Sequence, residues 1–163
     1  MPIIFIKKGT RFEYLFFCLY LCFMINPNIT IQDINLINQE TMVSNLGIEF
    51  TEIGDDFLIA KMPVDERTFQ PMGLLHGGAN VALAETLGSV GTFSIIDGKT
   101  HYGVCIEINA NHIGSVMEGF VFGTAKLVHQ GRTTHIWNIE IKDEKHKLIS
   151  TSRMTMMIIE RKK

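Results

Sequence analysis

Residues 69–89 read FQPMGLLHGGANVALAETLGS. The run opens on the turn formers Gln70, Pro71 and Gly73, passes through His76-Gly77-Gly78, and from Ala79 onward has the apolar spacing and helix formers of a buried helix. One carboxylate, Glu85, stands in that helix, a turn before Ser89. A helical Glu is usually a solvated surface residue. Here Val81, Ala82, Leu83, Ala84, Leu87 and Val90 leave almost no polar face for it to belong to, so the spacing predicts a buried or cleft-lining acid.

The start of the helix has its own chemistry. A helix N-terminus leaves its first backbone N–H groups without intrahelical partners and carries about half a positive charge. Two glycines there, Gly77 and Gly78, let a ligand approach those amides closely, which suits an oxyanion formed from a carbonyl. Gly77, Val81, Glu85 and Ser89 form one stripe at helical spacing, so the acid and the hydroxyl could address one substrate together. The plainer alternatives stay open on these residues alone: His76 as a helix cap, the glycines as a tight turn, Ser89 as packing, Gln70 as an ordinary loop residue.

Working outward, residues 31–45 suggest one or two short helical turns, and 47–53 and 57–64 suggest two strands joined by Gly54-Asp55-Asp56. Residues 63–73 read as loop. Beyond the helix, the Asp97-Gly98-Lys99 turn leads into four strand-like runs near 102–113, 119–129, 133–142 and 147–159. In the third, Trp137, Ile139 and Ile141 face one way and Asn138, Glu140 and Lys142 the other. Short connections imply an antiparallel sheet. One helix against about six strands is best accommodated by a curved sheet wrapped around it, which requires a slim helix; Ala79, Ala82, Ala84, Gly88 and Gly91 supply that.

Composition narrows the function. The chain has 163 residues, 46% hydrophobic and 20% charged, enough for one domain with a real core. The net charge is −2 and the basic residues are scattered apart from Arg161-Lys162-Lys163, so nucleic-acid binding is not expected. Cys18, Cys22 and Cys105 are an odd set without metal-ligand spacing; Cys105, in a strand, reads as packing. The apolar run at 14–25 is too short to span a bilayer, which takes about 20 residues, and lacks a small-residue cleavage site. It could be a membrane signal or a packed extension, but the reading favoured here is a start at Met24, with 1–25 an extension and 26–163 the domain.

The stretch QPMGLLHGGANVALAETLGS closely resembles the signature of the hotdog-fold acyl-CoA thioesterases, in the subgroup of hydroxybenzoyl-CoA thioesterase and dihydroxynaphthoyl-CoA hydrolase. The likeness runs from Thr41-Met42-Val43 to the final strand, including LGIEFTEIGDDFLIAKMPVDERTFQP. It implies an α+β hotdog domain, a curved antiparallel sheet of five to six strands around one long helix. Carried over by position, it makes Glu85 the catalytic carboxylate, as nucleophile or general base. Gly77 becomes the N–H donor to the thioester oxygen, Gln70 and His76 polarising residues, and Ser89 the group that orients water or the carboxylate. Gly78, His112 (in Asn109-Ala110-Asn111-His112) and Arg132 (in Gly131-Arg132) become substrate contacts. Ile113-Gly114-Ser115 depart from relatives that place an Arg and a Pro there, which puts one CoA phosphate contact in doubt. The resemblance also implies an acyl-CoA substrate, no cofactor or metal, no stable membrane partner, a cytoplasmic location, and a homodimer or homotetramer with active sites at subunit interfaces. A hotdog protein that binds an acyl-CoA or lipid without turning it over is the alternative. It would have no use for Glu85 beside Gln70, His76 and Ser89.

Overall fold

The structure, a computed structural model, describes residues 25–162. The readings of the apolar run as signal or extension therefore lie outside the described residues, Ile25 excepted. Ile25 itself is 4% exposed, and its N–H donates to the Asp55 carbonyl at 2.9 Å.

Six strands form one antiparallel sheet: β1 (Glu49–Ile53), β2 (Phe57–Pro63), β3 (His101–His112), β4 (Phe120–Gln130), β5 (Thr134–Asp143) and β6 (Leu148–Glu160), in the order β1-β2-β4-β5-β6-β3. The strand readings from sequence agree to within about two residues at each end. Two short helices precede the sheet, α1 (Ile31–Ile37) and α2 (Met42–Asn45), and the long helix α3 (Gly77–Phe93) joins β2 to β3. It starts two residues before the Ala79 expected from the apolar pattern.

Alternation decides which face of the sheet turns inward. In β2, Leu58, Ala60 and Met62 are buried, and in β5, His135, Trp137, Ile139 and Ile141 are buried while Asn138 and Glu140 are exposed. Helix α3 packs on this face and touches β2, β3, β4, β5 and β6. Five strands spaced about 4.8 Å apart span roughly 19 Å, whereas a helix with its side chains is about 10 Å across. Contact with all five requires the sheet to curl around the helix, the hotdog arrangement.

The close approach falls on two glycines. A Cβ on Gly91 would lie 2.6 Å from the Trp137 ring, and one on Gly88 2.5 Å from Met154 Sδ. Trp137 is fully buried, and its indole N–H donates to Thr92 Oγ1 at 3.0 Å, so the ring is held by packing and by a hydrogen bond. Leu83 and Leu87 are also fully buried on this face of α3. Each such leucine contributes about 1.5–3 kcal/mol of burial.

The segment before β1 is fixed by caps and one clasp. Thr30 and Asp33 form a reciprocal capping box on α1, as Thr41 and Ser44 do on α2. Asn35 then donates from Nδ2 to the Phe50 carbonyl (3.0 Å) and accepts the Phe50 N–H at Oδ1 (2.9 Å). A side-chain amide thus satisfies backbone groups on edge strand β1 and docks α1 and α2 beside α3. No described helix is long and apolar enough to cross a membrane.

Candidate active site

The loop before α3 folds back on itself. Phe69 bridges Leu75, the Gln70 N–H donates to the Leu74 carbonyl at 2.8 Å, and Gly73 takes φ +74°, which its lack of a Cβ permits. Leu75 N–H to Val116 O (2.9 Å) and His76 N–H to Thr68 O (2.8 Å) tie the loop to the β3–β4 connection and to its own start. Gln70 Oε1 accepts the Met72 N–H at 2.6 Å. Its oxygen is committed, and the amide NH2 remains as the group Gln70 can offer a ligand.

His76 is the N-cap of α3, and its Nδ1 accepts the Gly78 N–H at 2.8 Å. Two consequences follow. The Gly78 amide is occupied by His76, so the substrate contact expected from its N–H is not available in this arrangement. A neutral imidazole accepting at Nδ1 carries its proton on Nε2, which makes His76 an exposed N–H donor beside the helix start. The plain capping role and the polarising role are thus compatible, since they use different nitrogens.

The Gly77 N–H has no intramolecular partner among the described residues. Over it sits His112 from the end of β3: a Cβ on Gly77 would fall 2.8 Å from both Cδ2 and Nε2 of that ring. Ser150 Oγ lies 3.2 Å from the Asn111 carbonyl and 3.2 Å from His112 Nδ1. If the single hydroxyl proton goes to the carbonyl, which can only accept, Nδ1–H donates to Ser150 and Nε2 faces Gly77 as an acceptor. His112 over Gly77 and His76 against Gly78 thus both stand at the start of α3.

Glu85 lies further along the helix. It lines a cavity of about 330 Å³ with Ala82, Thr86, Ser89 and Val90 of α3, closed on the other side by Met42, Val43 and Leu46 of the α2 region and by Asn38. It is exposed in the single chain, so of the two expected settings the structure shows the cleft-lining one and not the buried one. Its other neighbour is β3: burial first, and then the negative charge of Glu85, push the Cys105 thiol above its ordinary value. Cys105 is half-buried against the core, as its packing role required. Ser89 Oγ donates to Met156 Sδ at 3.9 Å, a weak bond that a better acceptor can displace.

Two expected partners stay apart within one chain. Gly77 and Glu85 are eight residues apart on a helix rising about 1.5 Å per residue, hence about 12 Å along its axis. Arg132 is farther still. Its turn adjoins Thr134, which pairs with Met157, whereas His112 pairs with Ser150 at the other end of β6, so Arg132 lies at the opposite end of the sheet from the helix start. Among the described residues, no group of three or more His, Cys, Asp and Glu side chains could hold a metal ion. The cavity wall supplied by Asn38, Met42, Val43 and Leu46 was not assigned a role from sequence; its caps were visible there, but not where it would dock.

The chain matches the Thioesterase superfamily over residues 72–150. It is 49% identical over 131 residues to the 1,4-dihydroxy-2-naphthoyl-CoA hydrolase of Escherichia coli K12, covering 80% of this chain and 96% of that protein. This protein is a member of the thioesterase superfamily. The thioesterase is also 45% identical over 133 residues to the proofreading thioesterase EntH of Cronobacter turicensis, covering 81% and 96% of the two chains. Its fold superposes on a mutant thioesterase from Pseudomonas aeruginosa with a TM-score of 0.83 at 38% identity, covering 85% and 99%. The thioesterase is therefore an acyl-CoA thioester hydrolase of hotdog fold, as the signature around Glu85 implied.

Proposed function

We propose that this thioesterase hydrolyses an aromatic acyl-CoA, with dihydroxynaphthoyl-CoA of menaquinone synthesis as the specific candidate, in a homodimer or homotetramer whose sites combine residues of two copies. The observation that carries the reading is Glu85 and Ser89 lining one apolar cavity while the Gly77 N–H stands free at the helix start. A thioester carbonyl is already electrophilic and a thiolate leaves readily, so a placed carboxylate, an oxyanion donor and water suffice.

In this mechanism the thioester oxygen points at the Gly77 N–H, with Nε2–H of His76 and the free NH2 of Gln70 as further donors. The Glu85 carboxylate of the second copy acts on the carbonyl carbon, directly or through a water it deprotonates, and Ser89 holds that water or that carboxylate. Collapse of the tetrahedral intermediate expels the CoA thiolate; after water attack this releases the free acid, and after direct attack it leaves the acyl group on Glu85 as a mixed anhydride that a water then hydrolyses, restoring the carboxylate. The 12 Å between Gly77 and Glu85 in one chain supports the two-chain assembly. So does β3, a twelve-residue edge strand that exposes Ile106 beside the open face of α3.

The test is release of free CoA from benzoyl, phenylacetyl, naphthoyl, dihydroxynaphthoyl and straight-chain acyl-CoA, by wild type and by Glu85→Gln. Turnover should be highest on the aromatic thioesters and fall by at least 100-fold in Glu85→Gln with binding retained. Activity unchanged in that variant contradicts the role of Glu85; a preference for straight chains contradicts the aromatic assignment.

A further inference from the structure

The two serines in the second half of α3 use their hydroxyls differently. A serine in a helix can donate back to the carbonyl four residues earlier. Ser94, which caps the end of α3, does so: its Oγ donates to the Val90 carbonyl at 2.8 Å. The equivalent acceptor for Ser89 is the Glu85 carbonyl, and among the described residues Ser89 makes no such bond. Its hydroxyl reaches across to Met156 Sδ at 3.9 Å instead, a weak bond to a weak acceptor. Packing holds the sulfur there. Met156 is 2% exposed on the inner face of β6, paired with His135 on one side and Cys105 on the other, and a Cβ on Gly103 would lie 3.3 Å from its Cε.

We propose that Met156 is a positioning residue for the hydrolysis: its sulfur keeps the Ser89 hydroxyl off the helix backbone and available beside Glu85. The inference rests on the reading of Ser89 as the group that holds the attacking water or the carboxylate. A hydroxyl bonded to the Glu85 carbonyl would have to give up an ordinary hydrogen bond before it could serve the reaction. One bonded to a thioether gives up little, so it can turn to a water or to the Glu85 carboxylate at small cost. The three groups lie together. Ser89 is one helical turn from Glu85 and lines the same cavity, and the Glu85 charge reaches Cys105, the cross-strand partner of Met156. The sulfur is thus a placeholder, occupying a half-buried hydroxyl in the resting enzyme and yielding to a stronger acceptor during turnover.

The experiment is a double-mutant cycle on release of CoA from benzoyl-CoA, with wild type, Met156→Leu, Ser89→Ala and the double variant. Leucine keeps the volume of the side chain without its acceptor, a swap that cores tolerate. Met156→Leu should lower kcat about 5-fold, the population factor of one ordinary hydrogen bond, with KM within about 2-fold of wild type. It should cost nothing further once Ser89 is alanine. An equal loss in both backgrounds would make Met156 a packing residue and overturn the proposal, as would full activity in Met156→Leu while Ser89→Ala is impaired. If Ser89→Ala is itself fully active, the catalytic reading of Ser89 fails, and a crystal structure of Met156→Leu decides the positioning separately. Ser89 Oγ on the Glu85 carbonyl there supports it, and Oγ still pointing toward position 156 removes it. Should Met156→Leu fail to fold, Met156→Ile, which also lacks the acceptor, takes its place in the same cycle with the same expected outcomes.

Discussion

Two inactive variants of this enzyme should restore activity when combined in one dimer. Glu85→Ala removes the carboxylate. His76→Asn removes the Nε2–H donor while leaving an oxygen where Nδ1 now accepts the Gly78 N–H, and Asn is among the best N-cap residues, so α3 keeps its start. In one chain the helix start and Glu85 are about 12 Å apart along α3, farther than a glutamate side chain reaches, so in the proposed two-copy site His76 and Gly77 would come from one copy and Glu85 from the other. In a mixed dimer one site then holds both wild-type contributions and the other lacks both. Differently tagged chains, co-expressed and purified through both tags, should show about half the wild-type kcat per dimer with KM unchanged. A random equimolar mixture, half of it mixed dimers, should show about a quarter. Each homodimer of the parents should retain less than about 1%. Mixed dimers as inactive as their parents would refute the two-chain site and return the carboxylate and the oxyanion donor to one chain.

Three further outcomes follow from the packing. Gly91→Ala should lower stability by about 1 kcal/mol in denaturant melts although Ala is the better helix former, because its Cβ would meet the fixed Trp137 ring at 2.6 Å; a gain in stability would mean that ring is free to shift. Gly77→Ala should displace the His112 ring and cut kcat/KM by at least 10-fold while shifting the melting temperature little, since the residue is in the first turn and the ring is exposed; unchanged activity would show that this close approach is not used. His135 is buried without a partner at Nδ1, and burial, with His129 second, lowers its pKa to about 4. The folded value lies below the unfolded one of about 6.5, so stability is level above pH 6.5 and falls as the pH drops toward 4, by about 3 kcal/mol in total. His135→Leu should flatten that part of the profile, and an identical slope in the variant would clear His135 of the effect. Asp33, held low by Thr30, and Asp65, held low by Arg67, act only below this window.

Much of this molecule is legible in its sequence because its elements keep strict periods. Trp137, Ile139 and Ile141 alternate with polar residues and therefore fix both the strand and its inward face, and the glycines of α3 announce that something large comes close. What stays hidden depends on partners far apart in the chain. His112 stands over Gly77 because β3 runs back beneath the start of α3, a consequence of sheet order that neither segment encodes. The cavity wall at Asn38, Met42, Val43 and Leu46 is placed by Asn35 gripping the Phe50 backbone, one polar side chain with no pattern to betray it. Arg132 is the converse case, a motif position that matches in sequence while its turn lies at the far end of the sheet from the helix start of its own chain.

The exposure of Glu85 and the bare edge of β3 have a common explanation. Edge strands invite pairing with other chains, and proteins blunt them with Lys, Pro or covering segments. The other edge, β1, is covered by the Asn35 clasp, whereas β3 runs for twelve residues without Lys or Pro and leaves Ile106 57% exposed. Glu85 projects close enough to that edge to act on Cys105. A second copy pairing along β3 would satisfy the open backbone groups and bury the apolar side chains. It would also seat one Glu85 on the substrate polarised by the other copy's helix start. On this view the carboxylate is water-exposed in the isolated chain because the wall that should enclose it belongs to the partner. Turnover per chain should then fall on dilution in step with loss of the dimer, whereas the hydrogen-bonded His76 cap, which is complete within one chain, should survive the separation.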